Sequence, residues 1–241
     1  MGLFSFLDLH GLTIYMAAAL LPAVILMIYI YNKDKTEKEP SYMIRKMILG
    51  GIFAGFTAMA LEYAGQYILV NMFSFNSETA FNIAVAVMVG LSEEGAKLFF
   101  ARRGSWKDPN LNYTFDAIVY CVFVSLGFAA MENIIYVFSY GLSVAFVRAV
   151  VTIPAHMCFA VFMGVFYAEA KRSDVRGRAG ECRKYMVMAF LVPVVLHAVF
   201  DGLLMVGTDL TITVFYIYAF LLDIAVYFLI RNQSRNDKRI Y

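Results

Sequence analysis

Residues 185–206 read YMVMAFLVPVVLHAVFDGLLMV, and within them only His197 and Asp201 are groups that ionise between acid and neutral pH. A helix of about 20 apolar residues crosses a hydrocarbon core, so this stretch is long enough to span a bilayer. An ionisable group at that depth costs several kcal/mol unless it is paired or wetted. The same residues therefore predict a membrane helix and a polar site inside it.

Further apolar runs lie near 11–31, 44–70, 80–101, 113–140, 142–170 and 211–230. The chain as a whole is 61% hydrophobic and 16% charged, with mean hydropathy +0.69, outside the range of soluble globular proteins. The expected fold is all-α: a polytopic transmembrane bundle of about seven helices, forming one integral membrane domain over 1–241. A break near Asn133 or a re-entrant piece in 44–70 would change the count to eight or six.

Charge placement supports seven. Of the 20 Lys and Arg, all but Lys97 and Arg148 fall at 33–46, 102–107, 171–184 and 231–239, while the connections near 71–79, 140–141 and 207–210 hold none. Seven crossings put every basic segment on one side, and the positive-inside rule then makes the N-terminus external and the C-terminus cytoplasmic. The net charge of +2 follows from these loops, needs no nucleic-acid partner, and is compatible with contact to anionic lipid in the bilayer. Met1 to His10 lacks a basic region and a small-residue cleavage pattern, which predicts a retained first helix. Phe6 stands where acylation at Gly2 would need Ser or Thr. Cys121, Cys158 and Cys182 show no paired spacing and are expected to pack rather than bond. Gly51 and Gly55 form a small-xxx-small face for close helix contact.

Ionisable clusters interrupt four of the runs. Glu93 and Glu94 lie four and three residues before Lys97, so one ammonium can reach both carboxylates. Two acids sharing a low-dielectric site with one cation are pushed apart in acidity, which supplies a base and an acid together. The bland alternative is an ion pair that fixes packing. His197 and Asp201, four apart, let the carboxylate orient the imidazole or let both face one metal. His156 sits at matched depth in the preceding run. Glu132 could act as ligand or acid, and Asn133 could donate to an oxyanion or bond a neighbouring helix. Arg148 could pair with Glu132 or Asp201, or snorkel outward. Counted from the helix midpoints, Glu93, Glu94, Glu132, His156, His197 and Asp201 all lie within roughly 10 Å of the membrane centre. A midplane chain of such groups also describes a proton-coupled transporter or channel, although no inverted repeat is legible.

In this order, Glu93-Glu94-Gly95-Ala96-Lys97 matches EExxK, Phe128 to Asn133 matches FxxxEN, and His197 to Asp201 matches HxxxD. The set resembles the PrsW family of intramembrane proteases, over a motif-bearing core of about 80–206. The wider clan includes CAAX prenyl endopeptidases, whose EExxxR and His differ from the residues here. The resemblance implies hydrolysis of membrane-anchored proteins, anti-sigma factors among them. Glu93 or Glu94 would activate water, Lys97 would tune the pair, and His156, His197 or Asn133 would stabilise the oxyanion. Zinc held by Glu94, Glu132, His156, His197 and Asp201 stays open beside a metal-free glutamate mechanism, since HExxH is absent.

Overall fold

The computed structural model describes residues 9–241, and the expectations for Gly2 and Phe6 lie outside them. The helices are α1 Leu9–Lys33, α2 Ser41–Met72, α3 Glu78–Ser105, α4 Thr114–Tyr140, α5 Leu142–Val147, α6 Ile153–Val175, α7 Ala179–Val206 and α8 Asp209–Arg235. A π-helical turn, Arg148–Thr152, joins α5 to α6 without interruption, so Leu142–Val175 is one long rod. Seven long helices result among the described residues. Neither the 44–70 run nor the 113–140 run is broken: α2 and α4 are continuous through both.

Six of these rods are long and apolar enough to cross a membrane, which makes the protein a multi-pass membrane protein. The seventh, α3, has the length but also carries Glu93, Glu94 and Lys97 in its middle. It starts at Ser77, whose side chain accepts from Ala80 N at 3.1 Å, and it closes with Arg102 and Arg103 in its last turn. Both features complement the exposed ends of a helix and its dipole. Gly207, at φ 67°, stops α7 in the left-handed conformation that glycine adopts without strain.

The core is built around α4, whose residues are buried without a gap from Thr114 to Ala129. Close approach of α2 to α4 depends on Gly51, part of the small-residue face read from the sequence, and on Gly127 of α4. A Cβ on Gly51 would meet Val124 O at 2.1 Å, and one on Gly127 would meet Ile48 O at 2.6 Å. Around this centre lie α1, α2 and α6, with α3 bridging α2 and α7, and α7 against α6. Outward-facing Leu21, Phe53, Tyr63 and Phe220 are exposed, as lipid-facing side chains are. No residue of α2 beyond Ala58 is buried, so its last turns border the bundle without closing it.

Candidate active site

One turn of α3 brings Glu93, Glu94 and Lys97 to the same interior face, and all three are buried. Lys97 Nζ donates to Glu93 Oε2 at 2.9 Å and to Glu94 Oε1 at 2.8 Å, and it lies 3.1 Å from His156 Nδ1. An ammonium has three protons and nothing to accept with, so all three donors are used and His156 must accept at Nδ1. The ammonium also sits 4.0 Å from the centre of the Phe128 ring, a cation–π contact that helps an ion tolerate burial. Phe128 opens the FxxxEN motif.

The histidine states follow from their partners. With Nδ1 accepting, His156 carries its proton on Nε2 and donates toward Glu132 Oε2 at 3.2 Å. His197 has a carboxylate oxygen at each nitrogen: Glu94 Oε1 at 2.9 Å from Nδ1 and Asp201 Oδ2 at 3.3 Å from Nε2. Two flanking carboxylates favour the imidazolium form, in which both nitrogens donate. Glu93, Glu94, Glu132 and Asp201 face Lys97, Arg148 and this imidazolium, so the network holds one more acid than cations. Such a network can take up one proton and approach neutrality.

Glu132 is held from two sides. Arg148 Nη2 donates to its Oε2 at 2.7 Å, the oxygen that His156 also approaches. Eight residues of ideal α-helix would leave Arg148 and His156 roughly 80° out of register. The wider π turn at Arg148–Thr152 takes up that offset, so both reach one oxygen. Of the roles open to Arg148, pairing with Glu132 is therefore the one present, and its guanidinium also lies 4.0 Å from the Tyr136 ring.

Of the roles open to Asn133, bonding a neighbouring helix is the one present. Its amide Nδ2 donates to Ala19 O at 2.8 Å, and its Oδ1 accepts from Arg148 Nε at 2.9 Å. The side chain is fully buried against α1, so the donor expected for an oxyanion is spent on tying helices together. One step along the helix, Glu132 and Asn133 point in different directions.

A cavity of about 320 Å³ opens beside the network, with Glu62, Glu93, Glu132, His156, His197 and Asp201 among its lining groups. Phe159, stacked on His197 with ring centroids 4.9 Å apart, and Phe200 form apolar walls. Of the sequence candidates, Glu94, Lys97 and Asn133 do not line it. Glu93 reaches it, while Glu94 lies behind with no exposure. Glu62 was legible only as an acid in an apolar run, and no motif marks it. The lining residues past the midpoints of α2, α4 and α7 lean toward the ends that carry no Lys or Arg.

Glu93, Glu94 and His156 also place donor atoms within 4.8 Å of one another, a spacing compatible with a metal ion. Those atoms converge on the Lys97 ammonium, which already fills the position an ion would take. His156 Nδ1 has given its lone pair to that ammonium, and His197 has none to give. Glu132 and Asp201, expected as ligands, are bonded to histidine nitrogens. As folded, Lys97 takes the place an ion would occupy, and zinc would bind here by displacing that ammonium. Glu94 Oε2 is nonetheless buried with no hydrogen-bond partner among the described residues, which keeps negative charge concentrated behind Glu93.

A family model described as PrsW family intramembrane metalloprotease matches residues 38–230. Protease PrsW of Clostridioides difficile (strain 630) is 35% identical over 208 residues, covering 85% of this chain and 84% of the relative. Protease PrsW of Geobacillus kaustophilus (strain HTA426) is 34% identical over 191 residues, 78% of this chain and 79% of the relative. That of Bacillus subtilis (strain 168) is 29% identical over 205 residues, 85% and 88%. No solved structure matches the chain.

Proposed function

The chain belongs to the PrsW family of intramembrane proteases, and from that premise we propose that Glu93 is the base that activates water for cleavage of a membrane-anchored protein. The observation that carries this reading is the division of labour within the glutamate pair. Glu93 has an edge on the cavity, and Glu94 has none.

In the proposed reaction a water in the cavity gives a proton to Glu93 as its oxygen bonds to the scissile carbonyl carbon. His197, held as a cation between Glu94 and Asp201, faces the negative charge that develops on the carbonyl oxygen, and the Nε2 proton of His156 is the second donor. As the carbon–nitrogen bond breaks, the proton on Glu93 passes to the departing amine. Lys97 touches no substrate. It holds both glutamates and fixes the His156 tautomer. Glu94 and Arg148 are positioning residues, the first for His197 and the second for Glu132.

We further propose that a substrate helix approaches beside the loosely packed second half of α2, past Glu62, from the side of the membrane that carries no basic loops. With the basic loops in the cytoplasm, that side is external, and both the external N-terminus and the anti-sigma-factor class of substrate belong to the same reading. The test is a single-span substrate of known orientation, expressed with the protease and with the cut mapped by mass spectrometry. The cut is expected in the external half of the substrate span. A cut confined to the cytoplasmic half contradicts both the orientation and the approach.

A further inference from the structure

A second group of carboxylates lies far from the cavity, at the end of the bundle where the basic loops gather. Asp34 sits in the connection between α1 and α2, Glu39 stands two residues before α2, and Asp116 is in the first turn of α4. One oxygen from each lies within 4.8 Å of the others, and all three residues are buried, at 1%, 4% and 1% exposure. Three acids brought together out of water repel one another and lose their hydration, so the arrangement is unfavourable unless something positive is added.

The local hydrogen bonds do not supply it. Asp116 Oδ2 accepts from Asn112 N at 2.9 Å and Tyr113 N at 2.6 Å, which uses one of its oxygens to start α4. Glu39 Oε2 accepts from the buried Tyr120 hydroxyl. Asp34 has nothing: both of its carboxylate oxygens are buried without a partner among the described residues. Lys38, the nearest cation, donates instead to the backbone carbonyls of Tyr31 and Asp34. Glu37 is engaged by Asn112, and Asp237, which adds further negative charge, accepts from Thr114 and Phe115.

We infer that Asp34, Glu39 and Asp116 form a binding site for one hard divalent cation, Mg²⁺ or Ca²⁺, that clamps the α1–α2 connection to the start of α4. Three carboxylates with no nitrogen or sulfur donor select oxygen-loving cations over zinc. The unpartnered Asp34 carboxylate is the group that calls for the ion, since the other two acids each have a donor. Waters would complete the roughly 6–8 oxygen ligands that Ca²⁺ takes or the octahedral shell of Mg²⁺. This site is independent of the proteolytic one.

The experiment uses the full chain in detergent at pH 7.5, stripped with EDTA and then titrated with MgCl₂ or CaCl₂ by calorimetry and by thermal unfolding. One ion is expected to bind per chain and to raise the unfolding temperature, and the cation giving the larger rise is the native class. Asp34→Asn and Glu39→Gln are expected to lose both signals, and Glu93→Gln to keep them. Binding retained by Asp34→Asn, or no binding of either cation at millimolar concentration, overturns the proposal. If the Asp34→Asn chain does not fold, Glu39→Gln decides by the same measure. A stripped Asp34→Asn protein at least as stable as the stripped wild type, with no ion bound by the wild type, overturns the proposal in favour of shared protons holding the cluster.

Discussion

Replacing Glu93 by Gln lowers the cleavage rate of a single-span substrate by roughly 10²–10⁴-fold, the range over which a positioned general base acts. The amide has the size of the carboxylate and can still accept from Lys97, so packing at this buried position survives. What is lost is the oxygen that takes a proton from water. The rate is measured on reconstituted protein, beside a thermal unfolding curve that shows the variant folded. Glu94→Gln lies behind the cavity wall and acts through His197. It is expected to change the pH profile of cleavage as well as its rate, because the imidazole loses one of its two carboxylate partners. Equal activity of Glu93→Gln and wild type removes Glu93 from the reaction.

The largest effect on stability is expected at Lys97. Lys97→Met fills similar volume but leaves Glu93 and the His156 Nδ1 lone pair with no donor, and Glu94 with His197 alone. Breaking a buried ion pair from one side typically destabilises by about 3–5 kcal/mol, because the remaining charge stays desolvated. The unfolding temperature falls accordingly, and cleavage is lost even at temperatures where the chain stays folded. Adding Glu94→Gln to Lys97→Met removes one of the stranded charges and restores part of the stability, without restoring activity. A Lys97→Met protein as stable as wild type would show that the ammonium is not what holds the pair.

Much of this was legible in the sequence for physical reasons. A bilayer demands length and apolarity from each crossing, so the seven runs could be read from hydropathy, with α3 carrying its charges as an exception to the pattern. Residues four apart on a helix share a face, which made the Lys97 contacts and the His197–Asp201 pair readable from spacing. Orientation about the helix axis is harder to read. Glu132 and Asn133 are neighbours in one motif, yet Asn133 turns to α1 because Ala19 presents a carbonyl there. The π turn was also invisible, and with it the way Arg148 and His156 meet on one oxygen of Glu132. Nothing in the spacing of Asp34, Glu39 and Asp116 joins them, and only the assembly of α1, α2 and α4 lays them together. Contacts across helices depend on rotation and tilt, and a periodicity of single residues does not encode either.

In the proposed reaction an ammonium on the chain, Lys97, occupies the point where a metalloprotease would carry its ion, and Glu93 activates water directly. Bound zinc, iron and manganese are measured in an actively cleaving preparation, together with the cleavage rate in phenanthroline, a chelator that leaves Mg²⁺ and Ca²⁺ largely in place. Substoichiometric transition metal and an undiminished rate are expected. One tightly bound transition metal per chain, whose removal abolishes cleavage and whose return restores it, would contradict the proposed reaction.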